Sequence, residues 1–95
     1  YIIKQSDGTV KVSGKTTLYD FERYFRDKVP EFQDSDIITI GGYFMENNSD
    51  LKVNQTIKLD HYEFKLTEVE HGFMNWFSVT RLKPELTTTP ANEEN

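Results

Sequence analysis

The chain has 95 residues, of which 36% are hydrophobic and 14% aromatic; its 16 acidic and 11 basic side chains give a formal charge of −5, and it has no cysteine. This length suits one small domain, and the aromatic content is typical of a folded chain rather than a disordered one. The lack of cysteine excludes disulfide frameworks, thiolate zinc sites and cysteine nucleophiles, and the acidic balance argues against a nucleic-acid partner.

The first part of the chain predicts a β-hairpin followed by a helix. Residues 1–5 form the first expected strand, and a Ser-Asp-Gly-Thr turn reverses the chain into the second strand at 10–12. Thr17 and Asp20 have the spacing of a variant capping box. The helix is expected from Leu18 to about Arg26 and should stop before Pro30, because proline disfavours helical geometry in the residue before it.

The middle of the chain allows two interpretations. Three isoleucines between residues 37 and 40 favour a strand, whereas the same stretch is also compatible with a short buried helix capped by Asp36 or Thr39. The pair Gly41-Gly42 costs a helix about 1 kcal/mol per glycine relative to alanine. That cost favours a bent strand, unless the missing side chains serve a close approach to a neighbouring strand.

The C-terminal part predicts three strands. From Thr56 to Leu82 apolar and polar residues alternate, with turns at Asp60-His61 and at Glu70-His71-Gly72. In the last of these strands, the residues expected to cover the core are Trp76, Phe77 and Val79. Residues 83–95 contain much proline, threonine and glutamate and are expected to be a disordered C-terminal tail.

The order of five sequence blocks resembles a known family. The blocks are DGTVKVSGKTTL, the helix, TIGGYFM, KVNQTIKLDHYEFKLTEVEHGF and SVTRL. In this order they resemble the CorC/HlyC transporter-associated domain, the C-terminal module of bacterial magnesium and cobalt efflux or hemolysin-like membrane proteins. There it follows a membrane domain and a pair of CBS domains. The resemblance covers Asp7 to Leu82.

The resemblance adds detail to the expected fold. The family places its glycine pair in a helix, which favours a helix at Gly41-Gly42. The implied fold is α+β, with an N-terminal hairpin, two short helices and a C-terminal antiparallel three-stranded sheet, as one transporter-associated domain over residues 1–82. The chain departs from the family before the Thr56 strand, where Leu51 and Asn54 stand in place of the usual proline and glycine. It departs again just after Gly72, where Phe73, Met74 and Asn75 follow and the family often has an arginine. Asparagine tolerates positive φ, so the turn at Asn54 can keep the family's backbone conformation.

Candidate metal ligands are few. His61 and His71 lie in two turns at opposite ends of one strand, about 30 Å apart along extended chain, so they cannot share one ion. Asp34 and Asp36 place two carboxylates on one loop, and hard cations prefer oxygen ligands. The same residue types also serve as turn formers and helix caps, so these two are weak candidates.

The sequence predicts surface contacts rather than catalysis. No serine lies in a glycine-flanked elbow, neither histidine has a base-and-orienter arrangement, and no glycine loop could cradle a phosphate. We therefore expect no enzyme activity and no cofactor. Four charged residues of the helix are expected to face water or a partner: Asp20, Glu22, Arg23 and Arg26. Tyr19 lies off the apolar stripe, and an exposed tyrosine beside Arg23 and Arg26 is typical of protein-binding surfaces.

The resemblance implies a function. The domain is expected to be a non-catalytic accessory or regulatory domain at the cytoplasmic face of the bacterial inner membrane, within a longer membrane protein. Its partners would be the CBS pair and membrane domains of the same chain, with homodimerisation left open. The acidic charge argues against direct contact with anionic lipid. The alternative is a ligand-sensing domain that binds a divalent metal ion or an adenine nucleotide.

Overall fold

The computed structural model describes residues 1–82, so the predicted tail at 83–95 lies outside the described residues. In chain order the elements are β1 (Ile2–Lys4), β2 (Val10–Ser13), α1 (Leu18–Phe25), α2 (Pro30–Gln33), α3 (Ile40–Asn47), β3 (Thr56–Leu59), β4 (Tyr62–Glu70) and β5 (Phe73–Arg81). The strands form one antiparallel sheet in the order β1-β2-β5-β4-β3. The α+β class is confirmed.

The predicted three-stranded sheet is part of a larger one. Strand β2 of the N-terminal hairpin pairs with β5, with Val12 opposite Phe77, and this pairing joins the hairpin to the C-terminal strands. Local alternation could predict each hairpin, but the β2–β5 pairing joins residues more than sixty positions apart in the sequence. The result is five strands instead of a separate hairpin and a three-stranded sheet.

The helices cover one face of this sheet. The core between sheet and helices contains fully buried side chains from both layers. The sheet contributes Val12, Phe64, Leu66 and Phe77, and the helices contribute Phe21 of α1 and Phe44 of α3. Alternate residues of the same strands, such as Lys11 and Lys65, are exposed on the opposite face. The sheet therefore has one face packed against helices and one face open, as antiparallel sheets commonly do.

Helix α1 begins as predicted. The backbone N–H of Asp20 donates to Thr17 Oγ1 at 3.0 Å, so Thr17 is the N-cap. The helix ends at Phe25, followed by Arg26 in a left-handed conformation. Pro30 then opens the additional helix α2, since a proline at the first helical position loses no hydrogen bond. At four residues, α2 is too short to show a periodic pattern in the sequence.

The glycine segment forms helix α3. The N–H of Gly42 donates to Thr39 Oγ1 at 3.1 Å, which identifies Thr39 as the cap. The N–H of Gly41 donates to the carbonyl of Gly14 at 2.8 Å, and a Cβ on Gly41 would lie 2.6 Å from the carbonyl oxygen of Met74 in β5. Gly41 thus serves the close approach to a strand that the sequence suggested. Gly42 faces side chains of Thr39 and Ile37 instead.

Trp76 does not cover the core, contrary to expectation. Adjacent strand residues point to opposite faces, and Phe77 is the one that is buried. Trp76 lies on the open face, where the Lys11 ammonium is 4.7 Å from its ring centroid. Elsewhere Asn54 adopts a φ of 74°, so it does replace a turn glycine. Within residues 1–82, no helix has the length and apolar character needed to span a bilayer.

The contact at Gly41 predicts an asymmetric effect of two alanine substitutions. Gly41→Ala should destabilise the domain by about 2 kcal/mol, because the new methyl group would collide with backbone atoms of β5 that cannot move independently. Gly42→Ala is the matched control and should change stability by less than about 1 kcal/mol, since the gain in helix propensity offsets the displacement of the Thr39 hydroxyl that caps the helix. Urea unfolding measures both, and equal effects would contradict the packing described here.

Candidate interaction surface on the first helix

The position of α1 is set by the ring of Phe21. This side chain is fully buried, and four aromatic rings surround it with centroid distances of 4.6 to 5.6 Å: Phe25, Phe32, Tyr62 and Phe64. Residues two positions before and after Phe21 project from other sides of a helix. Tyr19 and Arg23 therefore point outward, and Tyr19 is 65% exposed.

The three residues predicted to bind a protein do lie together. Tyr19, Arg23 and Arg26 line one concavity of about 480 Å³, along with Glu22, Asp27 and Lys28. We call these six residues the α1 surface. The guanidinium carbon of Arg23 lies 5.7 Å from the Tyr19 ring centroid, within the range of a cation–π contact.

Glu22 corrects one expectation. It was expected to face water or a partner, but it is 7% exposed. Its carboxylate accepts from the N–H of Val29 at 2.7 Å and from the side-chain amide of Gln33 at 2.8 and 2.9 Å. Helical spacing places Glu22 on the same face as Leu18, Phe21 and Phe25. The position of Glu22 in the helix, rather than its residue type, therefore identifies it as an inward-facing residue.

Asp27 also has internal partners. The Tyr62 hydroxyl donates to Asp27 Oδ2 at 2.8 Å, and Arg81 Nη2 lies 3.6 Å from the same oxygen. Burial, together with the hydrogen bond to Asp27, raises the pKa of Tyr62 above its ordinary value. Arg81 Nη1 donates to the carbonyl of Phe25 at 3.1 Å. The end of α1 is thereby fixed to β4 and β5.

Further apolar side chains are exposed around α1. Tyr24 is 42% exposed and lines a second concavity with Tyr1 and Arg23. Ile38 is 68% exposed and lines a third concavity with Tyr19. Exposed aromatic and aliphatic groups beside arginines have the composition of a protein-binding surface.

The two weak metal candidates stand apart from any larger group of metal-ligating side chains in the described part of the chain. Asp34 follows α2, its N–H donating to the carbonyls of Phe32 and Pro30, and both Asp34 and Asp36 are exposed. Among residues 1–82, no three or more His, Cys, Asp or Glu side chains gather as metal ligands would. His61 and His71 flank the two ends of the nine-residue strand β4, which places them too far apart for one ion.

The chain matches the model of a known protein family. Residues 3–83 match the model of the transporter associated domain, CorC_HlyC, and the chain belongs to this family. A comparison with curated proteins finds no match.

Solved structures share the fold at low sequence identity. A transporter associated domain from a CBS domain protein of Porphyromonas gingivalis has a TM-score of 0.72 and 20% identity, over 86% of this chain and 98% of that one. A region from Neisseria meningitidis, named for association with a Mg²⁺ and Co²⁺ transporter (CorC), has a TM-score of 0.72 and 17% identity over 85% and 98%. The Xylella fastidiosa hemolysin domain, solved with Mg²⁺ and Mn²⁺, has a TM-score of 0.73 and 10% identity over 86% and 98%.

The buried carboxylate of Glu22 predicts a loss of stability on substitution. Glu22→Ala leaves the N–H of Val29 without its partner in a buried position, which should cost about 2 kcal/mol. Glu22→Gln retains one acceptor oxygen and should recover part of this loss. Glu46→Ala, which removes an exposed glutamate on α3, is the control and should change stability by less than about 0.5 kcal/mol. If chemical denaturation shows the same free energy of unfolding for Glu22→Ala and Glu46→Ala, the role assigned to Glu22 is refuted.

Proposed function

We propose that the chain is a non-catalytic cytosolic accessory domain of a bacterial membrane ion transporter of the magnesium and cobalt efflux or hemolysin-like group. It acts through contacts with the CBS pair and membrane domains of the same protein, at the cytoplasmic face of the inner membrane. Family membership supports the class. The names of the Neisseria and Porphyromonas domains support the association with a transporter and with CBS domains.

The observation that carries a contact function is the composition of the α1 surface. Tyr19 and Arg23 are exposed and in cation–π contact, and tyrosine and arginine are among the residue types most enriched at binding hot spots. The two carboxylates of the same surface, Glu22 and Asp27, hold neighbouring elements of the fold through hydrogen bonds. These acids therefore serve to position the surface, and the exposed groups remain for contact with the other domains of the protein.

A deletion in the intact transporter tests this function. Removal of the domain should alter cellular resistance to Co²⁺ and the steady-state content of Mg²⁺. The double substitution Tyr19→Ala with Arg23→Ala should give the same direction of change, because it removes the exposed pair. Lys58→Ala with Lys65→Ala, on exposed sheet positions, is the matched control and should behave like the wild type. Unchanged Co²⁺ resistance and Mg²⁺ content in the deletion would contradict the proposal.

The second candidate is ligand sensing, which the Mg²⁺ and Mn²⁺ in the Xylella structure favour. In this chain Asp34 and Asp36 are the weak candidate ligands. Thermal unfolding with MgCl₂, MnCl₂, CoCl₂ or ATP provides the measurement, because a ligand at 100 times its Kd stabilises a fold by about 2.7 kcal/mol. Ligand sensing predicts an increase in Tm that Asp34→Asn with Asp36→Asn abolishes. An unchanged Tm would leave the accessory function as the only candidate.

A further inference from the structure

The basic residues of the α1 surface are only weakly paired within the described part of the chain. Within residues 1–82, neither Arg26 nor Lys28 has a carboxylate within 4.0 Å, although the chain carries a net charge of −5. Both side chains are exposed. Arg23 reaches Asp20 only at 4.0 Å, with 69% of its side chain accessible to solvent. An acidic domain thus presents three cations on one concave surface.

The acids of this surface do not neutralise these cations. The carboxylate of Glu22 faces inward to Val29 and Gln33, and that of Asp27 is bound by Tyr62 and Arg81. Both oxygens of Glu22 and Oδ2 of Asp27 are already engaged, and the three cations outnumber these two acids, so the α1 surface is positively charged. Such a surface is complementary to carboxylates on a partner.

The backbone at Arg26 allows a test that separates stability from binding. Arg26 has a φ of 55°, in the left-handed region that glycine occupies at no steric cost and that commonly ends a helix. Asn54, Asp60 and His71 also have a positive φ. Replacement of Arg26 by glycine should therefore remove the side chain and stabilise the domain at the same time.

We infer that the α1 surface binds an acidic segment from another domain of the same transporter, whose carboxylates pair with Arg23, Arg26 and Lys28 and whose apolar side chains pack on Tyr19. This inference rests on the proposed function and names the chemistry of its partner. A protein segment fits better than a lipid headgroup, because Tyr19 and Ile38 add exposed apolar contacts.

Selection from a random dodecapeptide phage library against the 95-residue chain tests the inference. The selected peptides should be enriched in Asp and Glu. Arg26→Gly should weaken their binding about tenfold in fluorescence anisotropy, the loss expected for one charge-assisted pair, while it raises the Tm by about 5 °C through relief of the left-handed strain. A rise in stability with a loss of binding is not expected of a merely structural residue.

His71→Gly is the matched control. His71 has a φ of 54°, nearly equal to that of Arg26, but lies in the β4–β5 turn. It should raise the Tm similarly and leave peptide binding unchanged. Peptides without an acidic excess, or equal binding by Arg26→Gly and the wild type, would overturn the inference.

Other occupants of the surface give different results. Arg26-dependent sedimentation with phosphatidylglycerol vesicles would identify a lipid, and Arg26-dependent dimers in analytical ultracentrifugation would identify a second copy. Either result would overturn the inference that the α1 surface binds an acidic protein segment. The peptide result and the deletion phenotype are independent: if peptide binding fails while deletion changes Co²⁺ resistance, only this inference is lost.

Discussion

The burial of Phe21 among four aromatic rings fixes the orientation of α1 and of the surface that this helix exposes. Two of the rings belong to strand β4, Tyr62 and Phe64, so the contact fixes α1 against the sheet. Removal of such a ring from a core typically costs 3–5 kcal/mol, which is comparable to the whole stability of many small domains. Since a helix is rigid, the inward direction of Phe21 also sets the outward direction of Tyr19 and Arg23.

A second constraint holds the two longer helices together at their N-termini. The N–H of Leu18 donates to the carbonyl of Ile38, and the N–H of Ile40 donates to the carbonyl of Thr16. Beside this short ladder the backbones of Gly14, Gly41 and Met74 come into direct contact. Helix α3 can pack this closely because no side chain separates it from β5. Among residues 1–82, the ladder and the aromatic core leave the face of α1 that carries Tyr19 and Arg23 exposed.

The sequence predicted the parts of the fold that depend on local patterns. The N-terminal hairpin, the Thr17 cap and the alternating C-terminal strands follow from spacing and turn chemistry, and the outward position of Tyr19 follows from helical periodicity. Helix α3 could be predicted only through the family resemblance, because the compensation for its glycines comes from Met74, more than thirty residues away. The charge of Glu22 suggests exposure, whereas its helical spacing places it on the buried face of α1.

The central proposal is that the α1 surface contacts the other domains of a transporter, and Trp76 on the open face of the sheet serves as the reference. Hydroxyl-radical footprinting of the intact transporter and of the 95-residue chain compares one aromatic residue on each surface. We expect oxidation of Tyr19 to fall strongly in the intact protein, with oxidation of Trp76 unchanged. Equal oxidation of Tyr19 in both samples, or protection of Trp76 instead, would contradict the account.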